Sequence, residues 1–343
     1  MSTAYVYDPL YLEHDQAGHP ENSRRLQRTM QYLQDASLLQ RLKPVEPRDA
    51  SIDEVSWVHK PGYIARLQDV AKGGGGWLDG DTYVAPRSYA AALRATGGLL
   101  SAVQAVLHGE VDNAFALVRP PGHHALPGRG MGFCLFNNIA IAAQYALQEW
   151  HLERVLIVDF DLHHGNGTQD IFYATPEVLY FSTHQYPYYP GSGHWQEAGR
   201  GTGQGYTINV PLSAGVGDAG YRRVFEEILA PAAQRYQPQL ILASAGYDAH
   251  WTDPLGMMLL SVSGFASLTR VLTSLAKELC AGRLVLTLEG GYSLEALPLC
   301  IGATFSVLLG DAEIDDPLGP SAKAERPVDA VIESVKRMHS LGE

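Results

Sequence analysis

Short apolar runs of strand length alternate along the chain with longer stretches in which apolar residues recur at helical spacing. The pattern predicts strands at 4–7, 113–118, 155–160, 178–183, 206–210, 240–245 and 284–288. It predicts helices at 88–107, 137–150, 218–236, 263–279 and 294–308. Runs such as Val155-Leu156-Ile157-Val158 and Leu284-Val285-Leu286 show no polar alternation. Strands of a parallel sheet read that way because helices cover both faces. The rhythm therefore predicts a three-layer αβα arrangement around one mostly parallel sheet. The first third is more helical: Ser51-Ile52-Asp53-Glu54 is a capping box opening a short helix, and Pro61 starts another. The glycines at 73–76 have neither the preceding strand nor the Lys-Ser/Thr pair of a phosphate cradle, so they read as a flexible loop. A polar Pro/Asp/Gly segment at 310–326 leads into an amphipathic helix at 328–341. No shift in pattern divides the 343 residues, so one domain over 1–343 is expected, with 311–343 packed on it.

Composition narrows the function classes. At 46% hydrophobic the chain can bury a large core and is too apolar to be disordered. Its net charge of −12 argues against a general nucleic-acid binder, which needs a basic face for phosphates. No run reaches the ~18 uninterrupted apolar residues of a membrane span, and no basic-then-apolar leader opens the chain. Cys134, Cys280 and Cys300 are far apart and form neither a CxxC pair nor a disulfide framework, which suits a reducing compartment. A cytoplasmic protein is expected, without membrane or direct nucleic-acid partners and with homo-oligomerisation left open.

Ionisable residues collect where strands end. Asp159, Asp161, His163 and His164 lie at and beyond the end of the run 155–158. Carboxylates leaving an apolar run are costly to bury unless paired or bound to a cation. Residues two apart in an extended segment share a face, so Asp159, Asp161 and His163 can point one way, and Asp161 with His163 makes a pair of metal ligands. Asp248 follows 240–245, His123 and His124 follow 113–118, and Glu289-Gly290-Gly291-Tyr292 follows 284–288. Singly, each has a plainer reading as a cap, a surface pair or a turn. Together they describe a site at the carboxyl ends of an α/β sheet, where such folds bind ligands.

These stretches resemble the histone deacetylase superfamily, in particular class II-like bacterial histone deacetylase-like amidohydrolases. The matching segments are HPENSRRL at 19–26, RPPGHHA at 119–125, GFCLFNN at 132–138, VDFDLHHGNGTQDIF at 158–172, YPGSG at 189–193, SAGYDAHWTDPLG at 244–256 and LEGGY at 288–292. The resemblance implies an arginase–deacetylase fold with a sheet of about eight strands. It implies one zinc ion per chain on Asp161, His163 and Asp248, a set of oxygen and imidazole donors that also admits iron or cobalt. It makes His124 the main general base and acid with Asp159 behind it, and gives His123 the same water to hold. Asn166 stands where class I members have an aspartate paired with the first histidine, so a neutral partner and a neutral His123 are expected. Tyr292 is matched with the donor to the amide oxygen, and Gly132, Phe133, Tyr189 and Leu255 with the substrate tunnel. Asp159, Asp161, His163, Ser182 and Thr183 are matched with a structural potassium site.

The activity implied is hydrolysis of N-acetyl- or other N-acyl-lysine amides to the acid and free lysine. Deacetylation of acetylpolyamines or other small amides is the alternative. Leu255 favours acyl-lysine, since polyamine-preferring relatives can carry Glu there to attract a second ammonium. Asp79, Asp81 and Glu197 are expected as rim charges, Asp81 or Thr82 as an acceptor for a peptide amide, and His250 as a rim residue. A dimanganese hydrolase of arginase type lacks its extra carboxylates, with Gly165 and His250 where they would stand. A non-catalytic acyl-lysine binding protein is disfavoured by Tyr292 and the intact ligand set.

Overall fold

The structure is a computed structural model describing residues 2–342. Its main sheet holds β1 (Thr3–Val6), β2 (Lys43–Pro44), β3 (Asn113–Ala116), β4 (Val155–Asp159), β5 (Val178–Gln185), β6 (Thr207–Leu212), β7 (Leu240–Ala245) and β8 (Leu284–Leu288). All eight are parallel, in the order β2-β1-β3-β8-β7-β4-β5-β6. Seven are the apolar runs. The eighth, β2, is an exposed two-residue edge strand ending in a proline, and an edge of that kind carries no apolar pattern to read. A small antiparallel hairpin pairs Gly76–Trp77 with Tyr83–Val84, so the glycine run is a loop only as far as Gly75.

One helix layer is built on Ser88–Leu107 and Asn138–Gln148, which pack on each other and on the sheet. The other is built on Val262–Leu279 and Ala296–Leu309, against which Arg24–Asp35 packs. Ser88–Leu107 is long and apolar enough to cross a membrane, but 67% of its apolar window is buried, as in a core helix. The capping box forms as the sequence predicts: Glu54 N–H donates to Ser51 Oγ at 3.2 Å and Ser51 N–H to Glu54 Oε2 at 2.7 Å. The helix over 218–236 opens into a π turn at Phe225–Leu229, directly before Pro231. The proline has no N–H to donate, and its ring crowds the preceding turn. The terminal helix Asp329–His339 packs on β6, with the ion pairs Arg223–Asp329 at 2.9 Å and Lys336–Glu227 at 2.8 Å.

The register decides where chemistry can gather. Asp159 pairs with both Ser182 and Ser244, and Ser244 pairs with Thr287, so β4, β7 and β8 end within one residue of the same level, while β5 runs three residues further, to Gln185. Every residue of β4 and β7 is buried, and the loops leaving this central block carry the candidate residues.

Candidate active site

Asp161, His163 and Asp248 come together as the sequence predicts, with ligand atoms all within 4.8 Å of one another and buried. His163 Nδ1 lies 3.3 Å from Asp161 Oδ1 and 3.0 Å from Asp248 Oδ2. Backbone groups hold the carboxylates: Gly290 N–H donates to Asp161 Oδ2 at 2.8 Å and Leu162 N–H to Asp248 Oδ1 at 2.9 Å. Only glycine fits at 290, because a Cβ there would lie 2.6 Å from Asp161 Oδ2. Burial raises the pKa of Asp248, and the charge of Asp161 adds to that. Two buried carboxylates and one imidazole suit a divalent cation, which removes that repulsion, and three protein ligands leave room for water and substrate.

The histidine rings lie side by side with centroids 4.0 Å apart, but their partners are the reverse of those expected. His123 Nδ1 meets Asp159 Oδ2 at 3.1 Å, and His124 Nδ1 meets Asn166 Oδ1 at 2.8 Å. Asp159 ends β4 at the level of the sheet, where Tyr180 Oη also donates to it at 3.0 Å, and His123 is the ring beside it. His124, one residue on, turns toward the cavity and the helix that Asn166 begins. The neutral partner expected for His123 thus belongs to His124, and His123 faces a carboxylate instead. Burial works against its charged form, but Asp159 and Asp161 overcome burial and lift its pKa to about 10. Burial holds His124 well below the usual value, with the charges of His123 and His163 adding to the effect.

A cavity of about 190 Å³ leads to this cluster, and all four expected tunnel residues, Gly132, Phe133, Tyr189 and Leu255, line it. His124, His163 and Tyr292 line it as well. Tyr188 is an additional wall residue, its ring 5.7 Å from that of His163; adjacency to Tyr189 was its only sequence signal. Gly132 has φ of 56°, and a Cβ on it would meet the His124 ring. No hydrogen bond among the described residues engages the Tyr292 hydroxyl. Burial, then the Asp248 charge, pushes its pKa well up, so it stays a donor.

Of the expected rim residues, Asp81 lines the cavity, and Asp79 lines an adjoining groove that Asp81 and Tyr189 share. The others are not among its lining residues. Thr82 is buried, and its Oγ1 accepts from Phe133 N–H at 3.1 Å. Glu197 braces its own loop, accepting from Gly193 and His194 N–H at 3.0 Å. His250 is 1% exposed and stacks on Trp251.

Sequence reasoning left two buried supports unassigned. Glu289 accepts from Gly122 N–H at 2.7 Å and Ser244 Oγ–H at 2.9 Å, tying the histidine loop to β7 and β8. Arg25 donates to the carbonyls of Glu289 at 2.6 Å and Gly291 at 2.7 Å, and its guanidinium lies 5.0 Å from the Tyr292 ring centroid.

Comparison with known proteins agrees with this geometry. The histone deacetylase domain family matches residues 19–308. The chain is 46% identical over 302 residues to a probable deacetylase of Archaeoglobus fulgidus, covering 87% of this chain and 84% of that protein. It is 39% identical over 315 residues to the histone deacetylase-like amidohydrolase of Pseudomonas aeruginosa, covering 91% and 82%. The crystal structure of the HDA15 HD domain superposes with a TM-score of 0.90 at 36% identity, covering 98% of this chain and 94% of that one.

Proposed function

The chain belongs to the histone deacetylase family, and from that premise we propose that it is a zinc-dependent deacylase of N-acyl-lysine amides. It is an amidohydrolase of linear amides in a metal-dependent family. The observation that carries the finer reading is the Asp161–His163–Asp248 set, whose His163 lines an aromatic-walled cavity together with His124 and Tyr292.

Asp161, His163 and Asp248 would hold the zinc ion, which when bound would polarise the amide carbonyl as a Lewis acid and lower the pKa of a water. His124 commits its Nδ1–H to Asn166 Oδ1 and so presents Nε2 as the acceptor. It takes the proton of the attacking water and returns it to the departing amine. His123, anchored by Asp159, polarises the same water. Tyr292 donates its O–H to the amide oxygen as negative charge develops there. Phe133, Tyr188, Tyr189 and Leu255 enclose the methylenes of the lysine and keep bulk water out. Asp159, Asp161, His163, Ser182 and Thr183 are proposed to hold a potassium ion between the end of β4 and the adjoining stretch of β5; Thr183 Oγ1, buried without a partner among the described residues, supports that reading.

Turnover of acetyl-lysine peptides against acetylspermidine by zinc-loaded protein tests the substrate class. A higher kcat/KM for the peptide is expected, and the reverse order establishes the small-amide alternative. Leu255→Glu puts a carboxylate at the cavity wall. It should shift the ratio toward acetylspermidine by about five-fold, the equivalent of one exposed ion pair of ~1 kcal/mol. An unchanged ratio removes Leu255 from substrate selection.

A further inference from the structure

The oxyanion donor proposed above directly follows a pair of glycines. Tyr292 follows Gly290 and Gly291, and Gly291 has φ of 114°, a conformation that other residues rarely adopt. Its phenol has to come within hydrogen-bond distance of a developing oxyanion, and a 1 Å error in such a placement costs about 100-fold in rate. Asp161 and Arg25 hold the two glycines, and the Tyr292 N–H beyond them needs an anchor of its own.

Asp253 meets that need. It stands in the loop beyond β7, downstream of the metal ligand Asp248, and is 6% exposed. Its Oδ2 accepts from Tyr292 N–H at 2.6 Å and from Ser293 N–H at 3.0 Å. Its Oδ1 accepts from Leu255 N–H at 3.0 Å. A neighbouring tie, Thr252 Oγ–H to Ser293 Oγ at 3.1 Å, joins the same two loops. No Lys, Arg or His among the described residues forms an ion pair with Asp253, so three backbone N–H groups alone satisfy a buried carboxylate. Two of these bonds cross to the loop bearing the oxyanion donor, and the third fixes Asp253 within its own loop, against the tunnel-wall residue Leu255.

We propose that Asp253 is a positioning residue that locks the Tyr292 backbone to the Leu255 wall of the tunnel, setting the phenol in register with the substrate carbonyl; the inference rests on the deacylase reading above. Asp253 touches no substrate. It acts through Tyr292, and its effect therefore depends on the Tyr292 hydroxyl being present.

The test is a double-mutant comparison on zinc-loaded full-length protein, with kcat, KM and bound zinc measured for Asp253→Ala and Asp253→Asn, each alone and combined with Tyr292→Phe. Asp253→Ala alone should lower kcat by about 10- to 100-fold with KM within about three-fold and bound zinc unchanged. Asp253→Asn should lose less, because its amide oxygen still accepts from Tyr292 N–H. On the Tyr292→Phe background the Asp253→Ala loss should shrink to within about three-fold. Equal losses on both backgrounds, or an unchanged kcat in Asp253→Ala, overturn the proposal. If Asp253→Ala does not fold, the isosteric Asp253→Asn takes its place: a loss that shrinks on the Tyr292→Phe background supports the proposal, and equal losses overturn it. A zinc-loaded wild type without turnover on acyl-lysine or acetylpolyamine overturns the functional reading itself. An active wild type with additive losses overturns only the role of Asp253.

Discussion

Tyr292→Phe is expected to lower kcat by about 100- to 1000-fold while bound zinc, KM and thermal stability stay near their wild-type values. The substitution removes one oxygen and nothing that packs. The ring keeps its edge contact with Phe133, at a centroid distance of 5.8 Å, and its place beneath the Arg25 guanidinium. The hydroxyl has no other duty among the described residues, and its raised pKa keeps the proton in place to be donated. Its interaction strengthens only as charge develops on the amide oxygen, so the loss falls on kcat rather than on ground-state affinity. Steady-state kinetics on an acetyl-lysine peptide decides. A rise in KM with kcat unchanged makes Tyr292 a substrate-binding group and removes it from the chemistry.

Glu21→Ala should cost about 3–5 kcal/mol of stability, a large share of the ~5–15 kcal/mol that holds a domain together. The side chains of Glu21, Arg25 and Arg119 are fully buried, and one carboxylate serves two guanidinium groups. Arg25 Nη1 meets Glu21 Oε1 at 2.9 Å, and Arg119 Nη2 meets Oε2 at 2.8 Å. Removing the carboxylate leaves two buried cations with only neutral partners, such as the carbonyls of Tyr11 and His14 and the Tyr83 hydroxyl. Burial alone would raise the pKa of Glu21, but Arg119, His14 and Arg25 together hold it well below 4.5. A carboxyl depressed on folding gives its full stabilisation above the unfolded value and loses it as pH falls toward the folded one. The Glu21 contribution is therefore complete at neutral pH and fades below about pH 4.5, so wild type and variant should converge in acid. Urea denaturation at pH 7 and pH 4 measures this. A difference below about 1 kcal/mol at pH 7 would show that the cluster adds nothing net.

Legibility followed the range of the physics. The continuous runs of β4, β7 and β8, the Ser51–Glu54 box and the terminal helix are local patterns, and each forms close to its expected bounds. The ligand set was legible because two of its members sit two residues apart just beyond the end of β4, and the third follows a neighbouring strand. The partners of His123 and His124 were not, since adjacent histidines and two candidate acceptors, Asp159 and Asn166, give no local clue to which ring lies deeper. The Glu21–Arg119 pairing spans 98 residues, and nothing in either motif signals it. Thr82 and Glu197 were misplaced on the rim because a polar side chain in a loop reads as exposed, whereas these two satisfy backbone N–H groups.

Zinc stoichiometry tests the account most directly. Metal-free protein titrated with Zn²⁺ should bind one ion per chain, and turnover of an acetyl-lysine peptide should rise in proportion to occupancy. Asp161→Asn and Asp248→Asn should lose both together. Turnover that persists in metal-free protein, or an Asp248→Asn variant that binds zinc and works like wild type, would contradict it.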